Sequence, residues 1–265
     1  MLGSGSSQGV PRIGPDWGRC DPLQPKNSRT RVSILVEEGD TVLLVDTGPD
    51  LRLQLLAAQV SRLTAVLYTH AHADHCHGID DLRPLFHAQR TEIDCYMDAA
   101  TKGDLLHRFP YVFTGYGGYP ATARAHLLAA EMRFGNLVVR PFRQQHGNIE
   151  SIGYRFESGG KAVAYSTDVK DFPEESWPLL QGLDLWIVDA LRRKPHATHS
   201  HLAQTLDWIA RTRPGAAWLT HMDQSMDYQQ LLDELPAGVS PGWDGRVWDD
   251  GIDVEGDGRD GFAPR

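Results

Sequence analysis

The chain has 265 residues, 41% of them hydrophobic and 23% charged, so it can bury a large core without disulfide bonds. Its net charge of −9 disfavours long nucleic acid as a partner, because proteins that hold such polymers usually carry a concentrated basic face. The three cysteines show no CxxC spacing, and no apolar run is long enough to span a membrane. The start lacks a secretory signal, so we expect a cytoplasmic protein.

The first half of the chain is predicted to begin as loop and then to alternate strands with helices. Residues 1–31 are rich in glycine, serine and proline, which favours loop. Two apolar runs flank Glu38-Gly39-Asp40 and predict a β-hairpin. Up to residue 125 we predict strands at 32–37, 41–46, 65–69 and 92–96, helices at 51–58 and 99–108, and an aromatic loop at 110–125. A loop of that length is more often functional than idle.

The second half repeats this alternation. We predict strands at 137–142, 152–156, 162–166, 185–189 and 216–219, and helices at 201–211 and 228–235. Two β-rich halves with interspersed helices indicate an α+β fold in which two packed sheets are flanked by helices. No linker interrupts residues 1–250, which we expect to form one domain, followed by a flexible acidic tail at 251–265.

A dense set of metal-ligand residues directly follows the predicted strand 65–69. The segment Thr69-His70-Ala71-His72-Ala73-Asp74-His75 places four potential ligands within six residues. The alternating pair His70 and His72 can serve one metal, and Asp74 and His75 its neighbour. Imidazole and carboxylate donors suit zinc, manganese or iron. The alternative is a solvated histidine-rich loop that binds metal incidentally, but four ligands at this density are improbable as packing.

Three further candidate ligands follow predicted strands elsewhere. They are His146, Asp168 and His221. Taken singly, a histidine in such a position is more often a structural residue, and an aspartate often caps a turn. Their shared position after strands favours the joint interpretation, in which seven residues form one metal centre.

The order HxHxDH, His, Asp, His resembles the metallo-β-lactamase superfamily. The resemblance implies a four-layer αββα sandwich, so that residues 1–250 would be a single metallo-hydrolase domain. It implies two divalent metal ions, zinc or manganese, one held by His70, His72 and His146 and the other by Asp74, His75 and His221. Asp168 would bridge both metals beside a shared hydroxide. Asp46, in Asp46-Thr47-Gly48, matches a position that orients a ligand histidine, although a turn-forming aspartate is equally consistent with this sequence.

Three segments indicate which branch of the superfamily this sequence resembles most. The opening Leu2-Gly3-Ser4-Gly5-Ser6-Ser7, the histidine-rich segment 195–201 and the run from Leu219 to Gly245 are similar to the phosphoribosyl 1,2-cyclic phosphate phosphodiesterases of bacterial phosphonate degradation. The similarity spans most of residues 2–248 and is weakest across 97–135. Met1-Leu2 leads straight into the glycine loop, so the strand that usually precedes it is either very short or lies upstream.

In that family a histidine at the start of the late helix acts on the substrate phosphate and the leaving group. Matching His-x-x-Leu before Leu206 assigns this role to His199, with His196 and His201 as alternatives. We therefore expect Asp74 and His199 to be catalytic. The resemblance also leads us to expect a homodimer.

The resulting hypothesis is metal-dependent hydrolysis of a small anionic phosphodiester, such as a cyclic ribose phosphate or a cyclic nucleotide, by a hydroxide that bridges two metals. Two enzymatic alternatives share the ligand order, namely a tRNA 3′-processing endoribonuclease and a thioesterase like glyoxalase II. A third alternative is a metal-binding or partner-binding module without activity.

Overall fold

A computed structural model describes residues 1–249 and 252–254. The first sheet has five strands in the order β1-β2-β3-β4-β5. They are β1 (Ile34–Glu38), β2 (Thr41–Val45), β3 (Ala65–Leu67), β4 (Ile93–Met97) and β5 (Ala123–Leu127). The β1–β2 pair is antiparallel and forms the predicted hairpin, whereas β2, β3, β4 and β5 are mutually parallel.

The second sheet has seven strands in the order β12-β11-β10-β9-β8-β7-β6. They are β6 (Met132–Phe134), β7 (Leu137–His146), β8 (Ile149–Ser158), β9 (Lys161–Ser166), β10 (Leu185–Asp189), β11 (Ala216–Thr220) and β12 (Val239–Pro241). The strands β6 to β9 run antiparallel to one another, and β9 to β12 run parallel. A separate pair is formed by β13 (Val247–Asp249) and β14 (Ile252–Val254).

Helices cover the outer face of each sheet. Against the first sheet lie α1 (Leu51–Ala57), α2 (Ala73–Cys76), α3 (Leu82–Gln89), α4 (Ala99–Arg108) and α5 (Pro110–Thr114). Against the second lie α6 (Leu202–Thr212) and α7 (Tyr228–Glu234). Among the described residues no helix has the length and apolar character needed to cross a bilayer. The layers are therefore helix, sheet, sheet and helix, which confirms the predicted α+β αββα sandwich.

The alternation of side chains along the strands explains these layers. In β2, Leu43 and Val45 belong to the apolar cluster between the two sheets, whereas Val42 and Leu44 belong to the cluster under the helices. Every residue of β2, β3 and β10 is buried, as expected for strands covered on both faces. Because each sheet is packed on both faces, successive residues of its inner strands are mostly apolar. This accounts for the continuous apolar runs in the sequence.

Most predicted elements are confirmed to within a few residues, but the interval 110–125 is not simply a loop. It contains the helix α5, a tight turn and the start of β5. The sequence analysis also did not predict α3. Of the predicted tail, 252–254 pairs with β13, and residues 251 and 255–265 lie outside the described residues.

A buried carboxylate ties the N-terminal segment to the C-terminal part of the fold. Asp244 accepts hydrogen bonds from the backbone N–H and hydroxyl of Ser4, at 2.9 and 2.8 Å. It also accepts from the N–H and hydroxyl of Thr30, both at 2.6 Å. Burial raises the pKa of Asp244 to about 6. The anchored glycine-serine loop in turn pairs with Met222, through Met222 N to Ser4 O at 3.0 Å and Ser6 N to Met222 O at 3.1 Å.

We predict that Asp244→Ala lowers the free energy of unfolding by about 3 kcal/mol, because it leaves several buried donors without an acceptor. Chemical denaturation of the two proteins measures the change. The exposed Asp249→Ala serves as the control and is expected to unfold like the wild type. Equal midpoints for Asp244→Ala and the control would show that the carboxylate does not anchor the segment.

Candidate metal centre

The candidate site lies where strands of both sheets end. Asp46 follows β2, His70 follows β3, His146 ends β7, Asp168 follows β9, Asp189 ends β10, and His221 follows β11. Asp46, Asp168 and His221 adopt positive φ angles of 65°, 53° and 56°. Such left-handed backbone is uncommon for these residue types and often marks a functional position. At these positions the chain turns sharply off its strand and presents a polar side chain at the edge.

The first set of donor atoms combines three imidazoles with one carboxylate. His70 Nε2 lies 2.9 Å from His72 Nδ1, and His146 Nε2 lies 3.3 Å from the same Nδ1. Asp168 Oδ1 is 3.9 Å from His70 Nε2 and 3.7 Å from His146 Nε2. These four ligand atoms all lie within 4.8 Å of one another.

The second set combines two imidazoles with two carboxylates. His75 Nε2 lies 3.3 Å from Asp74 Oδ2 and 3.0 Å from Asp168 Oδ2. His221 Nε2 lies 3.8 Å from Asp74 Oδ2 and 3.4 Å from Asp168 Oδ2. The two oxygens of Asp168 therefore face different groups of histidines. All seven residues predicted as ligands are brought together, in the two groups that the sequence analysis assigned.

Hydrogen bonds behind the ligands fix their orientation. Asp46 Oδ2 accepts from His75 Nδ1 at 2.7 Å and from the Thr69 hydroxyl at 2.8 Å, and Asp46 Oδ1 accepts from Thr69 N at 2.8 Å. His146 Nδ1 donates to Thr198 O at 2.9 Å. Since one ring nitrogen is engaged in this way, the Nε2 atoms of His75 and His146 face the site and are the atoms left to coordinate a cation. Asp46 thus has the orienting position that the sequence left open.

The electrostatics of the site favour a cation. Burial lowers the pKa of His70 well below its usual range and also lowers that of His146, so both stay neutral and able to coordinate. Burial opposes the charged form of His221, but the carboxylates of Asp168, Asp74 and Asp189 together outweigh it and raise the pKa of His221 to about 9. Asp168 is itself buried, yet His221 and His75 hold its pKa well below the usual range. When no metal is bound, protons on His75 and His221 balance the negative charge of the buried carboxylates. A divalent cation would take over this role.

The pattern of unpaired atoms fits a metal. His75 Nε2 and both ring nitrogens of His221 are buried and form no hydrogen bond of good geometry, although carboxylate oxygens lie 3.0 to 3.8 Å from the two Nε2 atoms. Buried polar atoms are rarely left unpaired in native proteins, so each such atom calls for an explanation. Imidazole nitrogens and carboxylate oxygens converging within coordination distance of a common point supply it, because this donor set binds divalent ions such as zinc or manganese.

The structure separates the three histidines of segment 195–201. His199 Nδ1 donates to Asp189 Oδ2 at 3.0 Å, and its Nε2 lies 3.8 Å from Asp168 Oδ1. The His196 ring lies 5.2 Å from that of His199, and its Nδ1 accepts from Thr198 N at 3.3 Å. His201 is the residue that precedes α6, and its Nδ1 is buried without a partner. Only His199 among the three has a ring nitrogen within 4 Å of a predicted ligand.

Asp189 is a site residue that the sequence analysis did not assign. It ends β10 and is fully buried, and its backbone oxygen accepts from the hydroxyls of Ser200 and Thr205, both at 2.7 Å. Its position at the end of a parallel strand, like that of the ligands, is the signal that would have identified it. Asp189, His199 and His221 form a third acid–imidazole cluster beside the two donor sets.

An αββα sandwich with two converging histidine–carboxylate sets at the edge of both sheets is the arrangement of the metallo-β-lactamase fold. The family model described as the beta-lactamase superfamily domain matches residues 41–222. The chain therefore belongs to the beta-lactamase superfamily.

Several known proteins are similar to this chain. A crystal structure of a diphosphatase of the PhnP family is 34% identical, with a TM-score of 0.84 and 92% of each chain covered. Human short-form tRNase Z shares the fold, with a TM-score of 0.67 at 19% identity over 92% of this chain and 95% of that chain. A protein of Porphyromonas gingivalis named octanoyltransferase is 33% identical over 92% of this chain but only 50% of its own length. The chain spans about half the length of the curated relatives it matches.

We predict that Asp46→Ala weakens binding of zinc or manganese about tenfold to a hundredfold, because His75 loses the partner that fixes its tautomer and orientation. Metal titration by calorimetry measures the affinity, and the matched control is Asp40→Ala, a fully exposed aspartate in the β1–β2 turn. Asp46→Asn keeps the volume and separates orientation from packing. Unchanged affinity in both Asp46 variants would show that this carboxylate does not support the site.

Proposed function

We propose that this chain is a metal-dependent hydrolase that cleaves a small anionic phosphodiester with the help of two divalent cations, zinc or manganese. The observation that carries the proposal is the placement of Asp168, whose two oxygens face separate histidine groups. His70, His72 and His146 would hold one cation, and Asp74, His75 and His221 the other. Asp168 would contact both. When bound, the cations activate a water molecule and offset the charge that develops on the phosphoryl oxygens.

The chain's own residues supply a proton donor opposite this centre. Asp189 accepts the Nδ1 hydrogen of His199, which leaves His199 Nε2 directed toward Asp168 and the substrate space. As the bond between phosphorus and the leaving oxygen breaks, His199 Nε2–H donates its proton to that oxygen, while Asp189 holds the ring through Nδ1–H. Asp74 is the more accessible of the two carboxylates, with 13% of its side chain exposed against 3% for Asp168. It is therefore the carboxylate that can also contact the attacking water.

Three observations favour a phosphate ester as the substrate. A histidine donor beside a metal pair suits a departing alkoxide, which needs a proton, better than a thiolate, which leaves readily without one. The similar proteins include a diphosphatase, a ribonuclease Z and an exodeoxyribonuclease. The net charge of −9 favours a small substrate over a long polynucleotide.

Octanoyl transfer is not supported by the residues of this chain, although one relative carries that name. Its three thiols are all buried, and burial raises the pKa of Cys76, the thiol next to the site, to about 11. A thiol in that state is a poor nucleophile. The matched region is half of the relative's length, so the name is compatible with an activity that lies in its other half.

The first test is turnover by a purified sample with its metals quantified. We expect metal-dependent cleavage of bis(p-nitrophenyl) phosphate, 2′,3′-cyclic nucleotides and ribose 1,2-cyclic phosphate, and none of a glutathione thioester. Asp168→Asn should lose both metal and turnover. Cleavage of the thioester alone would contradict the proposal, and two bound metals with no turnover of any substrate would favour the binding-module alternative.

We predict that His199→Gln lowers kcat on substrates with an alkoxide leaving group by a factor of about 10²–10⁴ while metal content is unchanged. The loss should be much smaller for p-nitrophenyl esters, because p-nitrophenolate departs without a proton. Asp189→Asn should show the same dependence on the leaving group, and His107→Gln, an exposed histidine on α4, serves as the control. An equal loss on both substrate types would show that His199 does not act as the proton donor.

A further inference from the structure

A cleft lined by aromatic side chains lies outside the metal centre. Its volume is about 130 Å³, and its walls come from α3 and from the segment 111–122. The lining includes Arg83, Phe86 and His87 of α3, Tyr111 of α5, and Tyr116 and Tyr119. A cavity of about 150 Å³ holds one benzene-sized ring, so this open cleft suits a single planar ring system rather than a long polymer.

A tight hairpin presents the two outer tyrosines. Tyr116 and Tyr119 exchange both backbone hydrogen bonds, at 3.1 and 2.9 Å, across Gly117-Gly118. Both glycines have positive φ, 58° and 86°, as a two-residue hairpin turn requires. Directly paired residues of a hairpin place their side chains on the same face. The side chains of Tyr116 and Tyr119 are nevertheless 80% and 75% exposed, so the fold does not use them as core.

The cleft is connected to the metal-binding loop by direct contacts. The Arg108 guanidinium, at the end of α4, donates to Ala71 O within the HxHxDH segment. The Phe109 ring lies 5.7 Å from that of His77, edge to face. The Tyr111 hydroxyl donates to Asp80 Oδ2 at 3.0 Å. Asp80 lies only five residues after His75, so Tyr111, which lines the cleft, is bonded to the segment that directly follows the predicted ligands.

We propose that this cleft binds the nucleobase of a nucleotide substrate while its phosphate lies in the metal centre; the inference rests on the proposed function. Aromatic rings stack on any base, and such contacts are sequence-tolerant. Arg83 and His87 add hydrogen-bond donors at the rim, which suits the acceptor atoms of a base. Stacking needs a planar ring, which a base offers and a sugar does not. The substrate class is therefore a nucleoside phosphodiester rather than a bare ribose phosphate.

The test compares two substrates that share a leaving group, thymidine 5′-(p-nitrophenyl) phosphate and methyl p-nitrophenyl phosphate. We expect the nucleoside ester to have the lower KM. The double variant Tyr116→Ala/Tyr119→Ala should raise that KM about tenfold or more and leave kcat and the methyl ester unchanged. The matched variant Tyr116→Phe/Tyr119→Phe keeps both rings and should behave like the wild type. Direct titration with AMP and with ribose 5-phosphate gives a readout that does not depend on turnover.

The outcomes separate this inference from the proposed function. Cleavage of both esters with equal KM, and equal binding of AMP and ribose 5-phosphate, would overturn the inference and leave the hydrolase proposal standing. Tyrosine-dependent binding of AMP without cleavage of any diester would support the base site and contradict the proposed hydrolase activity. If the alanine variant instead changes the oligomeric state and keeps the base preference, the tyrosines serve a subunit interface and the inference is wrong.

Discussion

Parallel pairing of strands is the constraint on which the metal centre depends. The parallel strands β2 and β3 of the first sheet end at Asp46 and His70, and β9, β10 and β11 of the second end at Asp168, Asp189 and His221. Neighbouring parallel strands bring their carboxyl ends to one edge, as is general in such sheets. The two sheets pack face to face, so both edges open onto the same space. Residues far apart in the chain thus converge at this edge, where hydrogen bonds such as that of His146 Nδ1 to Thr198 O then orient them.

This arrangement has an energetic cost that a bound cation would offset. Six of the seven predicted ligands and both supporting carboxylates are more than half buried, and three of these residues hold left-handed backbone. Burying charges and strained backbone destabilises the folded chain unless compensating interactions exist. Asp46 compensates in part by accepting three hydrogen bonds. A cation that binds the folded form and not the unfolded chain would supply the rest, and metal affinity and fold stability would then be linked.

The sequence indicated which polar residues would come together better than it predicted the helices around them. Ligand spacing and strand ends are local features that singled out the seven residues, the resemblance divided them into two groups, and the fold brings them together in those groups. The helix α3 was not predicted because Pro84 lies in its first turn. Proline is tolerated there, but in a sequence it usually indicates the end of a helix. The strand β5, with the sequence Ala-Arg-Ala-His-Leu, has no β-branched residue, and its pairing with β4 decides its conformation. The hydrogen bond between His199 and Asp189 could not be predicted from residue spacing, because the two residues are ten positions apart and a loop lies between them.

The parts of the molecule differ in how firmly they are held, and this difference bears on chemistry and specificity. Segment 195–201 is fixed to the end of β10, where Ser200, Thr205 and His199 all bond to Asp189. A histidine held in this way keeps its position relative to the ligands, which a proton donor requires. The Tyr116–Tyr119 hairpin, by contrast, rests on a Gly-Gly turn with its side chains largely in solvent. The rigid strand ends would thus hold the reacting groups in position, and the loosely anchored Tyr116–Tyr119 hairpin would adapt to different bases.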